Sequence, residues 1–199
     1  RSVSRGLGDV YKRQELECEI CKGKRFKDEI TAIKYNGISI DMLLNMTVDD
    51  SIKFFRKYNQ TKIVNKLLPL QSVGLGYVSL GQSSNTLSGG EAQRIKLASF
   101  IGKGDQIDKT FFIFDEPTTG LHFHDVKKLL NTFDKLIRMG HSILVIEHNL
   151  DMISCADHII DLGPEGGDKG GNIIAEGSPE DIIKNKRSYT GQYLKKKIV

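Results

Sequence analysis

Apolar residues fall at helical spacing through the first half of the chain and in short continuous runs through the second. Ile52, Phe54 and Phe55 follow Thr47-Val48-Asp49-Asp50, so Thr47 reads as a helix N-cap with Asp50 at its N3 position. A second helix is expected from about Thr61 to Ser72. Ahead of both, a β-rich stretch from Glu29 to Tyr35 meets the turn dipeptide Asn36-Gly37 and then Ile38-Ser39-Ile40, the pattern of a hairpin. Gly74, Gly76 and Gly81 punctuate a connector around Tyr77-Val78-Ser79-Leu80. Ser88-Gly89-Gly90-Glu91 then opens a helix reaching about Ile101, and Ser88 and Glu91 carry the S-x-x-E spacing of a capping box.

From there β and α patterns alternate. Phe111 to Phe114 is a continuous apolar run bounded by Lys109 and Asp115, expected as a strand buried on both faces of a parallel sheet. Val126, Leu129, Leu130, Phe133 and Ile137 recur at helical spacing, with Gly140 ending the helix. Ile143 to Ile146 predicts a second buried strand, Leu150 to Cys155 a short helix, Ile159 to Leu162 a third strand and Asn172 to Ala175 a fourth. Ser178-Pro179-Glu180-Asp181 starts a last helix, with Ser as N-cap and Pro at N1. Lys195 to Lys197 is expected as a solvated tail, Cys155 as a packed residue, and His141 and His158 as surface or core-edge residues.

Composition narrows the class. With 199 residues, 39% of them hydrophobic, the chain is long enough to bury roughly 70% of its unfolded surface, which excludes disorder and small disulfide scaffolds. No apolar run approaches the roughly 18 residues a membrane span requires. Of three cysteines, two form the C-x-x-C pair Cys18 and Cys21, which suits a reducing compartment and a metal or redox use. The expectation is a soluble cytoplasmic protein. The formal charge of +4 invites a nucleic-acid partner, but Arg1, Arg5, Lys12 and Arg13 against Asp9 carry +3 of it, leaving +1 for residues 15–199. Residues 1–14 have no apolar periodicity and no cap. They read as an adaptor remnant or, alternatively, a frayed natural terminus.

The candidate chemistry lies in three places. Two glycines at the start of a capped helix, Gly89 and Gly90 after Ser88, let bare backbone N–H groups and the positive end of the helix dipole approach an anion closely. Four apolar residues deliver Asp115 and Glu116 to the C-terminal edge of a strand, where ligands bind in open α/β sheets. One carboxylate there can hold Mg2+ while the next orients or deprotonates an attacking water. His148 ends the next buried strand, and adjacent strands would place it near Glu116 and a terminal phosphate.

Leu87 to Arg94, Asp115-Glu116-Pro117 and His148 resemble, in order and spacing, the signature motif, the Walker B strand with its catalytic glutamate, and the switch histidine of the ATP-binding-cassette ATPases. Val73 to Gln82, Asp115 to His122 and Ile160 to Gly167 resemble more narrowly the C-terminal cassette of the UvrA family of excision-repair ATPases, and Cys18 to Arg25 the second half of that family's zinc module. The resemblance implies an α/β fold, part of a nucleotide-binding domain with a mostly parallel sheet flanked by helices. A helical signature domain with an insertion and a zinc-module remnant would precede it. The implied divisions are a leader at 1–14, the zinc remnant at 15–29, the signature domain at 30–107 and the C-terminal ATP-binding lobe at 108–199. It implies that Ser88, Gly89 and Gly90 contact the γ-phosphate of ATP held by another cassette, that Asp115 positions Mg2+, that Glu116 activates water and that His148 bridges to the γ-phosphate. Cys18 and Cys21 would be half of a Zn2+ site. The implied partners are damaged double-stranded DNA, UvrB and a second UvrA, within bacterial nucleotide excision repair and the excision nuclease of the SOS response.

Other features bound this reading. No G-x-x-x-x-G-K-[S/T] phosphate loop occurs in the chain, so the chain by itself is expected neither to bind ATP tightly nor to turn it over. Two thiolates supply half of the four ligands a structural Zn2+ takes. Lys22, Lys24, Arg25 and Lys27 would touch DNA phosphates or form a solvated knuckle. His122 and His124 flank a loop where nucleotide contact is a further option. Two alternatives stand beside excision repair: a paralogous soluble cassette ATPase of drug self-resistance or translation, and a non-catalytic dimerisation or DNA-clamp fragment.

Overall fold

The computed structural model describes residues 18–19, 21–23, 25–102, 108–165 and 170–198. The first regular element among the described residues is a single helical turn, α1 (Asp28–Thr31), where the sequence pattern suggests strand. Asp28 and Glu29 occupy its first turn, where carboxylates favour a helix start. The hairpin forms as expected: β1 (Lys34–Tyr35) pairs antiparallel with β2 (Ile38–Ser39) across Asn36 and Gly37. Both turn residues have positive φ, 48° and 85°, as a tight two-residue hairpin turn requires.

A helical subdomain follows, α2 (Ile40–Asn45), α3 (Val48–Lys57) and α4 (Thr61–Ser72). Thr47 caps α3 by accepting the Asp50 N–H at 3.1 Å. Val48, Ile52, Phe55 and Val64 are buried where α3 and α4 face each other, with Leu67 and Leu80 packed against them. The connector after α4 is stitched to the start of α3. Val48 N–H donates to Val78 C=O and Asp49 N–H to Gly76 C=O, both at 2.9 Å, while Asp49 Oδ1 accepts Gln71 Nε2 at 2.7 Å. Gly76 leaves room there for the Asp49 carboxylate, which a Cβ would push off its bond to Gln71.

A 3-10 turn (Ser84–Thr86) leads into α5 (Gly89–Ile101), followed by β3 (Phe111–Asp115), α6 (Phe123–Arg138), β4 (Ser142–Ile146) and α7 (Leu150–Ile153). β3 and β4 pair in parallel, from Phe111 opposite Ser142 to Asp115 opposite Ile146. The larger core joins the two halves of the molecule: Val73, Leu75 and Val78 of the connector, Leu97 of α5, Phe114 of β3 and Leu129, Phe133 and Leu136 of α6. Thr132, buried on α6, donates to Ser72 C=O at 2.8 Å and ties α6 to the end of α4. Gly140, at φ 90°, follows the end of α6 as expected.

The described strands depart from a mostly parallel sheet. They form three separate two-stranded pairs, of which only β3–β4 is parallel; β5 (Ile159–Gly163) pairs antiparallel with β6 (Asn172–Gly177). Nor are β3 and β4 buried on both faces. Phe112, Phe114, Ile143 and Val145 face the core, whereas Phe111 and Ile113 are each 62% exposed and Leu144 and Ile146 are exposed beside them. A continuous apolar run is compatible with one covering layer or two, and among the described residues one face is covered.

The C-terminal part also differs from expectation. α8 (Pro179–Lys184) starts at Ser178 as predicted, but a further helix, α9 (Tyr189–Ile198), takes up the lysine run, which is solvated as expected but helical instead of a tail. Leu194 and Ile182 are fully buried. Asp161 of β5 accepts the hydroxyls of Ser188 at 2.6 Å and Thr190 at 2.8 Å, anchoring the start of α9, and Lys197 Nζ pairs with Asp151 at 2.6 Å. Cys155 is exposed, not packed, because it follows the end of α7 instead of lying within it. His141 is buried at the core edge, where Nδ1 accepts the Thr110 N–H at 3.1 Å, and His158 is exposed. The leader expected at residues 1–14 lies outside the described residues. No helix among the described residues is long and apolar enough to cross a membrane.

Candidate functional site

The parallel pair carries the site at its C-terminal edge. The ladder runs one residue past β3, since Glu116 N–H donates to Ile146 C=O at 2.9 Å. The chain then turns sharply. Glu116 has φ 47°, a left-handed conformation that costs a residue with a Cβ about 1–2 kcal/mol. The turn is closed by Thr119 N–H donating to Glu116 C=O at 3.1 Å, and Gly120, at φ 75°, completes it. β4 ends alongside, so Glu116 and His148 meet: Glu116 Oε1 lies 3.6 Å from His148 Nε2. Both side chains face solvent, at 54% and 84% exposure, which leaves their outer side open to a substrate phosphate or a water. Asp115 is exposed at the strand end just before.

The start of α5 is built as expected and is then held by residues the motif alone does not explain. Ser88 Oγ accepts the Glu91 N–H at 3.3 Å and Glu91 Oε2 accepts the Ser88 N–H at 2.8 Å, a complete capping box. Tyr77 OH donates to Glu91 Oε1 at 2.6 Å. That hydroxyl, followed by the Ser88 amide, holds the Glu91 carboxyl below its ordinary range; burial, reinforced by Glu91, pushes the Tyr77 hydroxyl up. Arg94 is fully buried and donates through Nη1 to Pro117 C=O at 2.6 Å and Thr119 C=O at 3.1 Å. Gln93 exchanges two hydrogen bonds with the Asp115 backbone, donating to its C=O at 3.0 Å and accepting its N–H at 3.2 Å. α5 is thus docked onto the end of β3 and the loop after Glu116.

The two glycines divide the work. Gly90 is buried, and a Cβ there would lie 3.1 Å from Arg94 Nη1 and 3.3 Å from Thr119 C=O, so it permits the close approach of helix to loop. A Cβ on Gly89 would meet nothing within 4 Å; together with exposed Ser88 it presents the open helix end. That end fits a phosphate in sign and shape, because N-terminal amides and the dipole favour an anion. The exposed carboxylate of Asp115, one residue from Glu116, fits a Mg2+ ion accompanied by water and phosphate oxygens.

Zinc fits less well. Cys18 is exposed and Cys21 half-buried, with Lys22 N–H donating to Cys18 C=O at 2.7 Å in a knuckle-like turn. No group of three or more potential metal ligands occurs among the described residues. The pair therefore provides two of the four ligands of a structural Zn2+ and no complete site. Arg25, read as a phosphate contact, donates through Nη2 to Gly81 C=O, and Lys24 lies outside the described residues. His122 and His124 are exposed and stack on each other, with ring centroids 6.0 Å apart, at the start of α6.

Sequence reasoning named no role for Tyr77, Gln93, Arg94 or Glu147. Each acts on a partner well separated in the chain, and although Tyr77, Gln93 and Arg94 lie within the quoted motif stretches, nothing in the spacing assigns them these contacts.

No family model matches the chain. It is 58% identical over 190 residues to UvrABC system protein A of Clostridium acetobutylicum and 54% identical over 193 residues to that of Rickettsia typhi, alignments that cover 96% and 97% of this chain. Among solved structures, UvrA2 from Deinococcus radiodurans is similar with a TM-score of 0.75 and 37% identity, over 90% of this chain and 22% of that one. The chain spans 20% of the length of the two sequence relatives. Along nearly its whole length, in sequence and in fold, this chain is a segment of the UvrA family.

Proposed function

We propose that this chain serves, within a longer protein, as the C-terminal part of a UvrA damage-recognition ATPase that binds damaged double-stranded DNA and hydrolyses ATP in bacterial nucleotide excision repair. The observation that carries the reading is the meeting of Glu116 with His148, beside Asp115, at the end of the parallel β3–β4 pair. Glu116 orients and deprotonates the attacking water, and its left-handed backbone aims the carboxylate out of the strand edge. His148, whose Nε2 lies 3.6 Å from Glu116 Oε1, donates to the terminal phosphate. Asp115 would hold Mg2+, which would neutralise charge on the phosphate oxygens. Ser88, Gly89 and Gly90 present the open end of α5 to the phosphates of ATP held by another cassette. The partners on this reading are DNA, UvrB and a second UvrA, in the cytoplasm. Cys18 and Cys21 would supply two of the four ligands of a structural Zn2+.

The test is Glu116→Gln in the full-length protein, which keeps the shape and removes the base. ATP turnover should fall about 10²–10⁴-fold while nucleotide binding persists. Turnover at the parental rate would overturn the assignment of Glu116 and the reading built on it.

A further inference from the structure

Glu147 stands between the two strand ends and has no part in the chemistry just proposed, yet each of its oxygens is taken by two donors. Oε1 accepts both the backbone N–H of Thr118, at 2.8 Å, and the Thr118 hydroxyl, at 2.6 Å. Oε2 accepts the backbone N–H groups of His148, at 3.0 Å, and Asn149, at 3.1 Å. A carboxylate has about four lone-pair sites, so this one is filled from within and has none to spare for a metal or a proton in flight. Its position in a cluster of acidic residues at a strand edge would otherwise mark it as a ligand or a base.

We propose that Glu147 is a positioning residue that locks the loop carrying Glu116 to the loop carrying His148; the inference rests on the ATPase reading above. Thr118 is two residues after Glu116 and 29 residues before Glu147, while His148 is the next residue. The bridge therefore crosses the gap that the Glu116–His148 pair must span. The last backbone link across this gap is Glu116 N–H to Ile146 C=O, and where that ladder stops the Glu147 carboxylate takes over. One arm ends on a helix start, because Asn149 Oδ1 caps α7 by accepting the Asp151 N–H at 2.9 Å. Hydrogen bonds to a carboxylate are roughly twice as strong as neutral ones, so four of them fix the spacing far more firmly than the exposed 3.6 Å contact between Glu116 and His148 does.

The test uses the full-length protein with Glu147→Gln, which replaces one acceptor by a donor, and Thr118→Val, which removes one hydroxyl from the bridge and keeps the carboxylate. Glu147→Gln should lower kcat for ATP about tenfold to hundredfold through misplacement of the reacting groups, with KM changed less than about threefold. In a His148→Ala background the same change should lower kcat by less than about threefold, since a residue acting through His148 has little left to disturb. Thr118→Val should show the same dependence on background with a smaller fall, and it carries the test if Glu147→Gln melts early or fails to fold. Equal losses with and without His148, or parental kcat in both variants, would overturn the assignment. If His148→Ala and Glu116→Gln both hydrolyse ATP at the parental rate, the ATPase reading fails and this inference with it. If those two are impaired and Glu147→Gln is not, only this inference fails.

Discussion

Arg94 is a charged side chain with no exposed surface and no carboxylate bonded to it among the described residues. Its donors go to main-chain oxygens of Pro117 and Thr119, with Tyr77 OH 3.5 Å from Nη2, while Nε lacks a partner. A guanidinium fits here because its planar fork can serve two carbonyls at once, which an ammonium on a flexible stem does poorly. Arg94→Ala would leave the buried Pro117 carbonyl without a donor and open the space the guanidinium fills, and should destabilise the chain by about 2–4 kcal/mol, read as a lower urea midpoint. Arg94→Lys should recover only part of that loss. Glu116 and His148 were legible in the sequence because each ends an apolar run, and parallel pairing of consecutive runs brings such ends together. Arg94 and Glu147 were not, since what Arg94 does to the loop after Glu116, and what Glu147 does across the strand ends, depends on partners 23 to 29 positions away.

Elements were readable where their ends are written locally. Thr47, Ser88 and Ser178 each accept an amide three residues on, as their spacing foretold, and the Asn36-Gly37 turn closes its hairpin. α9 escaped notice because its stabilising contacts are tertiary. Ser188 and Thr190 bond to Asp161 of β5, and Gly191 lets the helix sit directly on α8. A Cβ at Gly191 would lie 2.9 Å from the Ile182 carbonyl carbon and closer still to its oxygen, both backbone atoms that cannot swing aside. Gly191→Ala should therefore weaken the docking of α9 by about 1–3 kcal/mol. The measurement is amide hydrogen exchange, which should speed up across Tyr189–Ile198 and stay unchanged in α3 and α4.

At the scale of the molecule, the α/β class and the order of elements were visible in the alternation of runs and periodic stretches, while the grouping of strands into pairs was not. Pairing partners are chosen by which faces are covered, and an apolar run looks the same whether one layer or two lies over it. Charge proved a poor guide as well, since the part of the chain that carries the motifs is close to neutral.

The uncovered faces of the strand pairs have a thermodynamic consequence. Phe111, Ile113 and Leu162 at 62% exposure and Ile173 at 61% keep much of their hydration in the folded state. Unfolding cannot hydrate those surfaces a second time. Globular chains gain about 12–15 cal/mol/K of heat capacity per residue on unfolding, most of it from newly wetted apolar groups. Scanning calorimetry on this chain should give a heat-capacity increment toward the low end of that range, with a flatter dependence of stability on temperature than full burial of these faces would give. An increment at the top of the range would mean that these faces are covered in solution.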